Sequence, residues 1–179
     1  GSTGLKHGWT MLHPEKWNGN CLPGADSTHV FSYTELLEKQ PELGEQVLIF
    51  DIMGGRQGAV VAEILARQGK VVQFVTQLGQ ASPDLASSRD WGKVHGMLKN
   101  LGVKFHVDCE LLSIDNDQVV MRDLYTGKKS SFKNISAVVM VQGGAANDQL
   151  YHSLCDSKPC YLIGDCLLYT SPSPRDVRS

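Results

Sequence analysis

Val47-Leu48-Ile49-Phe50-Asp51, Ile52-Met53-Gly54-Gly55-Arg56-Gln57-Gly58, Ala59-Val60-Val61-Ala62-Glu63-Ile64-Leu65-Ala66-Arg67-Gln68-Gly69 and Lys70-Val71-Val72-Gln73-Phe74-Val75-Thr76 follow one another without a break, and this stretch decides the fold. It is an apolar run, a glycine-rich turn, an amphipathic segment and a second apolar run. A short continuous apolar run marks a strand buried on both faces. Ala59, Ala62, Ile64 and Leu65 recur at helical spacing, and Gly69 stands where a helix ends in a C′ residue. The unit is β-α-β, and its crossover is expected to be right-handed.

The turn is similar to the G-x-G-x-x-G fingerprint of a dinucleotide fold. Met53 stands in the place of the first glycine, while Gly55 and Gly58 match the second and third and Gly54 lies between. Met53 is expected to widen the turn and shield the helix N-terminus, whose free N–H groups and dipole favour a pyrophosphate. A carboxylate about 20 residues beyond the motif would bind a ribose 2′-hydroxyl. Thr76 and Gln77 stand there instead, and Arg89 reaches a 2′-phosphate only by folding back. The alternative is that the glycines serve only close helix–strand packing.

Working outward, Gly1 to Leu22 reads as loop, and Leu22 to Asp26 as a turn. Ser32 with Glu35 forms a capping box for a short helix through about Lys39. Gln77 to Ser88 reads as a polar loop at a strand's carboxyl end, where open α/β sheets hold ligands. Arg89 to Asn100 is a second helix, with Trp91, Val94, Met97 and Leu98 on one face and Gly102 past its end; Val103 to Val107 is a third strand. Glu110 to Val141 alternates, with turns at Asn116-Asp117 and Thr126-Gly127, and closes on the apolar strand Ala137 to Val141. Gly143 and Gly144 follow. Tyr161-Leu-Ile-Gly164-Asp165 puts a carboxylate at a strand end, able to accept a hydrogen bond from a ribityl or ribose hydroxyl. The tail after Leu168 has no pattern and reads as disordered.

Composition narrows the classes. The 179 residues are 41% hydrophobic and carry a net charge of −2. No basic patch points to nucleic acid, no run approaches a membrane span, and no apolar segment near the start reads as a signal peptide. The five cysteines are Cys21, Cys109, Cys155, Cys160 and Cys166, with no C-x-x-C pair. That usage reads as a cytoplasmic protein with free thiols and no metal or iron–sulfur site in this chain. The histidines show no paired spacing. Asp51 reads as a solvated loop acid or a helix-terminus partner, and Cys166 as a buried residue beside a cofactor edge. No catalytic residue is assigned.

The order Ser2-Thr3-Gly4, β-α-β with a glycine turn, helix, meander, Gly-Gly-x-x-Asn and Leu-Ile-Gly-Asp-Cys resembles the C-terminal region of the trimethylamine dehydrogenase/2,4-dienoyl-CoA reductase group. These are NADH:flavin oxidoreductases related to Old Yellow Enzyme. Val-Leu-Ile-Phe-Asp, Gln-Gly-Ala-Val-Val-Ala-Glu and Asp-Leu-Tyr-Thr-Gly resemble its amine dehydrogenase branch. The return differs: relatives tend to have Gly-Arg-x-Pro-Asn where this chain has Gly144, Ala145 and Ala146 before Asn147.

The resemblance implies an α/β, Rossmann-like FAD/NAD(P)-binding fold: a parallel sheet flanked by helices, with a small antiparallel meander. It implies that residues 1–43 are an edge of an outer FAD- or ADP-binding domain plus a connector, 44–142 an inserted NAD(P)-binding-like domain, and 143–168 the return. Residues 169–179 resemble translated adapter sequence rather than native protein. An FMN barrel and a 4Fe–4S centre would lie in a missing N-terminal part, with an electron-transfer flavoprotein as a further partner. The implied nucleotide contacts are Met53, Gly54, Gly55, Gly58, Thr76, Gly143, Gly164 and Asp165. Three functions follow: part of an amine dehydrogenase, with this domain structural or holding ADP or a dinucleotide; the NAD(P)H-binding part of an enoate or dienoyl-CoA reductase; or a stand-alone nucleotide-binding or interaction domain. Met53 and Thr76 favour the first.

Overall fold

The computed structural model describes residues 22–116 and 118–143 in full, the backbone of 6–7 and 144–145, and residues 153–154. The chain divides into two compact units, residues 1–8 with 144–179, and residues 9–143. In the first, strand β1 (Lys6–His7) pairs antiparallel with β10 (Gly144–Ala145).

In the second unit, β2 (Val30–Ser32) leads into α1 (Tyr33–Lys39), then β3 (Gln46–Asp51), α2 (Arg56–Arg67) and β4 (Val71–Thr76). A 3-10 turn (Pro83–Ala86) precedes α3 (Trp91–Asn100) and β5 (Lys104–His106). β6 (Cys109–Ile114), β7 (Gln118–Asp123) and β8 (Lys129–Lys133) form a three-stranded sheet, and β9 (Ala137–Val141) returns to the main one. That main sheet has five strands in the order β2-β9-β3-β4-β5, and every pairing in it is parallel. The α/β fold with a small antiparallel sheet is therefore the one the sequence indicates. Strand β2 is an addition: three residues at an edge, too short to show a period.

The strands alternate between two cores. Val47 and Ile49 of β3, Val72 and Phe74 of β4, and Ala137, Val139 and Val141 of β9 pack with Ala59, Val61, Ala62 and Leu65 of α2. Leu48, Phe50, Val75, Val138 and Met140 point the other way, onto Leu111, Ile114, Val119 and Met121 of the small sheet. Helices cover one face and the meander the other, which is why these strands read as unbroken apolar runs.

The punctuation follows local rules. Ser32 and Glu35 close the capping box on α1, each side chain bonding the other residue's backbone N–H at 3.1 Å. At the end of α2, Gly69 has φ 80°. Its N–H reaches Ala66 O at 3.0 Å, and the Lys70 N–H reaches Leu65 O at 3.1 Å. Those are the paired bonds of a Schellman motif. Gly102 ends α3 in the same way, through Lys99 O and Leu98 O, both at 3.0 Å. In the meander, Asp123 accepts from the Tyr125 and Thr126 N–H groups at 3.1 and 2.7 Å and shapes the turn before Gly127. Buried Glu110 pairs across the strands with Arg122.

Because β3 is enclosed on both faces, truncation on either should cost alike. Ile49→Ala, facing α2, and Leu48→Ala, facing the meander, should each lower unfolding free energy by about 2–5 kcal/mol. Denaturant titrations check this; a mild Leu48→Ala would show that the meander adds little.

Candidate functional site

The chain leaves β3 toward β4 on one side, while β9 lies on the other, so the carboxyl ends of β3 and β9 flank a topological switch point. Ligands of open α/β sheets bind at such points. The glycine turn, Ile52 to Gly55, sits there, and its Ile52 N–H is bonded to Val141 O at 3.1 Å.

Asp51 builds the turn. It is fully buried, and its Oδ1 accepts the Met53 N–H at 2.9 Å and the Gly54 N–H at 3.1 Å. This corrects the expectation of a solvated loop acid: the carboxylate lies inside, under the turn. Its Oδ2 has no hydrogen-bond partner. Burial pushes the Asp51 pKa from 3.8 to about 6, with the Asp84 charge adding to the rise and the Gly54 and Met53 N–H groups opposing it.

The glycines divide the labour. Gly54 carries the left-handed backbone, φ 73°, so the turn stays tight without a first glycine. Met53 is 48% exposed. What covers the turn is Leu78 and Pro83, whose side-chain carbons lie 2.6 and 3.0 Å from where a Gly54 Cβ would be. Gly55 caps α2. Gly58 lets α2 settle onto the sheet: a Cβ there would stand 2.5 Å from Asp51 Oδ2 and 3.0 Å from the Phe74 ring. The packing role of the third glycine is therefore real in this chain.

The end of β4 offers no ribose partner. Thr76 is fully buried and pairs in register with Asp51. Its hydroxyl oxygen accepts the Leu78 N–H at 3.2 Å. Beyond it, the segment expected as a polar loop is partly buried, with Ala81, Ser82 and Leu85 each 1–2% exposed. It folds back on the glycine turn, where the Asp84 N–H bonds Gly54 O at 3.1 Å. Arg56, the first residue of α2, pairs with Asp90 at 3.1 Å. Both Trp91 Nε1, at 3.0 Å, and His95 Nε2, at 2.9 Å, bond Ala81 O. The His95 ring stacks between Trp91 and Phe105, at centroid distances of 4.1 and 4.8 Å. The sequence places a loop at Gln77 to Ser88 but does not show that it packs down on the turn as a strap, Leu78 to Asp90; the one advance signal of that packing is the apolar Leu85 between polar neighbours.

Gly143 follows β9, beside Gln142, whose Nε2 is buried without a partner. Gly164, Asp165 and Cys166 lie outside the described residues. Among the described residues no group of three or more acids, histidines or cysteines is placed to hold a metal. Cys109 is buried and free, and burial, then the charges of Asp123 and Asp108, raises its pKa, which disfavours the reactive thiolate. His106 bonds Gln73 at 2.8 Å on the meander side. No helix of the described residues is long and apolar enough to cross a membrane.

Leu78 and Pro83 stand against Gly54, the exposed Gln57 side chain lies beside Gly55, and Thr76 rather than a carboxylate ends β4.

Two substitutions test this geometry. Gly58→Ala should destabilise the fold by about 1–3 kcal/mol, since the methyl group overpacks against Asp51 and Phe74. For Asp51, a pKa raised in the folded state gives stability that is fully present below 3.8 and lost as pH rises through about 6. Asp51→Asn removes that dependence. The difference in unfolding free energy between wild type and Asp51→Asn should therefore move by about 3 kcal/mol between pH 3.5 and 7, in favour of the variant as pH rises. A flat difference curve would show that Asp51 does not titrate there.

No family model matches the chain, and no curated protein matches it. Solved structures do. The 6-hydroxypseudooxynicotine amine oxidase from Pseudomonas geniculata N1 is 28% identical, with a TM-score of 0.79, over 88% of this chain and 23% of that one. Histamine dehydrogenase from Rhizobium sp. 4-9 is 24% identical, with a TM-score of 0.76, over 87% of this chain and 24% of that one. A 2-naphthoyl-CoA reductase is 22% identical, with a TM-score of 0.66, over 74% of this chain and 19% of that one. The structural neighbours of this chain are thus oxidoreductases of the amine oxidase, histamine dehydrogenase and 2-naphthoyl-CoA reductase group, the same group its motifs resemble, and it spans less than a quarter of each.

Proposed function

We propose that this chain is the nucleotide-binding-like portion of a flavin-dependent oxidoreductase of the amine dehydrogenase kind, in which the domain is structural rather than a port for NAD(P)H. The likeness to the 6-hydroxypseudooxynicotine amine oxidase, in sequence as well as in fold, carries this reading. The buried Thr76, standing where a ribose-binding carboxylate would end β4, supports it against the enoate or dienoyl-CoA reductase alternative, in which a dinucleotide must enter here.

In this reading, residues 44–142 belong to the inserted domain, and 1–43 and 143–168 lead from and into an outer domain holding FAD or ADP. The grouping of residues 1–8 with 144–179 supports the outer part, while β2 and α1 attach residues 30–39 to the inserted one. Gly164 and Asp165 are the proposed nucleotide contacts of the outer part. FMN and a 4Fe–4S centre belong to sequence outside this chain, and an electron-transfer flavoprotein in the cytoplasm takes the electrons. FMN supplies the two-electron oxidation of an amine; this chain contributes shape and a buried acid-pinned turn.

The test is to recover the flanking coding sequence and express the longer polypeptide. An amine should bleach its flavin absorbance under anaerobic conditions with no nicotinamide present. Bleaching by NADPH and not by amines would install the reductase reading instead.

A further inference from the structure

Five non-glycine residues among those described carry a left-handed backbone: Gln40, Ser82, Arg89, Asp108 and Asn134. Aspartate and asparagine take that conformation readily, and Gln40 ends α1. Ser82 and Arg89 are left, and they bracket one segment of the strap, residues 83–88. Ser82, with φ 48° and ψ 54°, also precedes Pro83, whose ring pushes the residue before it toward extended backbone. The Ser82 hydroxyl is buried without a hydrogen-bond partner. At the other end, the Arg89 N–H bonds Ala86 O and the Asp90 N–H bonds Leu85 O, both at 3.1 Å. Those are the same paired bonds with which Gly69 and Gly102 end α2 and α3, so the third copy of the motif sets an arginine, φ 60°, where the other two have glycine. Strained backbone of this kind gathers at switch regions, where it relaxes when the segment moves.

Between those two residues the segment holds itself together. The Leu85 N–H bonds Ser82 O at 3.2 Å, the Ser87 N–H and hydroxyl bond Asp84 O at 3.3 and 2.7 Å, and the Ser88 hydroxyl bonds Leu85 O at 3.1 Å. Its ties to the glycine turn are fewer: the Asp84 N–H bonds Gly54 O at 3.1 Å, and Pro83 stands beside Gly54. Leu85 is its one fully seated side chain, while Asp84, Ala86, Ser87 and Ser88 are exposed. We infer that residues 83–88 are a hinged lid on the glycine turn, closed in this structure, which swings as one body on Ser82 and Arg89. Opening unseats Leu85 and breaks the bonds of the Asp84, Arg89 and Asp90 N–H groups. In return, Ser82 and Arg89 leave the left-handed region and the Ser82 hydroxyl meets water. The open lid takes Pro83 and the Asp84 N–H away from Gly54 and bares the turn at the switch point, so access to that point is set by the lid.

The test is amide hydrogen exchange, followed by NMR on the full 179-residue chain, for wild type, Ser82→Gly, Arg89→Gly and the two together. In wild type, the Asp84, Arg89 and Asp90 N–H groups should share one protection factor, at least about tenfold below that of the β3 amides. Arg89 is exposed and Ser82→Gly only removes atoms, so the variants keep the fold, and a thermal melt verifies it. Glycine relieves the closed backbone but loosens the open one, so each single variant should slow the three amides by about threefold, and the pair by about tenfold. The effect should cross the segment: Ser82→Gly slows Asp90, and Arg89→Gly slows Asp84. A glycine that slows only the amide nearest to it, or none, would show two ends that fray separately and overturn the lid. Exchange of the three amides no faster than that of β3 would overturn it as well, since the strap would then open only with the whole domain.

Discussion

Strand β3 has no solvent face, and the rest of the domain follows from that. Its side chains alternate between two apolar cores, and each must be covered by something that brings its own hydrophobic surface. On one side α2 does so, with Gly58, Ala59 and Ala62 small enough to let the helix backbone approach. On the other, helices would demand long crossovers, and the chain uses a compact three-stranded meander instead. The meander also solves a routing problem, since it carries the chain from β5 at one edge across to β9 on the far side of β3. The switch point arises from that crossing, and the glycine turn opens onto it.

Asp51 is where covering the strand and shaping the turn conflict. Hydrophobic enclosure would be best served by an apolar residue at this fully buried position. The turn needs an acceptor for the Met53 and Gly54 N–H groups, which would otherwise be unmatched. The carboxylate supplies it at the cost of burying a charge, and its raised pKa records that cost. The unmatched Oδ2 lies against Gly58, the residue that must stay small, so the helix packing and the turn are set by one side chain.

Much of this was legible in the sequence because it is local or periodic. The apolar runs gave β3 and β4, the capping box gave α1, and Gly69 and Gly102 marked the ends of α2 and α3. Strand β2 was not legible, because three residues at an edge carry no period and their pairing with β9 is more than a hundred residues away in sequence. The turn's chemistry was half legible. Its glycines were visible, but whether an aspartate at a strand end is wet or buried depends on what folds over it. The strap was illegible for the same reason: Ser82, Pro83 and Asp84 are loop residues by type, and only Leu85 and the distant Trp91 and His95 show them pressed down.

The doubly bonded Ala81 carbonyl has an optical consequence. Trp91 donates its indole N–H to that oxygen and stacks on His95, so its excited state senses both the hydrogen bond and the ring beside it. Ala81 moves only if the strap moves. The chain has three tryptophans, and Trp91 is the one fixed to this segment among the described residues. The domain thus carries an intrinsic fluorophore wired to its own cover, and the colour and lifetime of Trp91 emission report whether the strap keeps its bond to the indole.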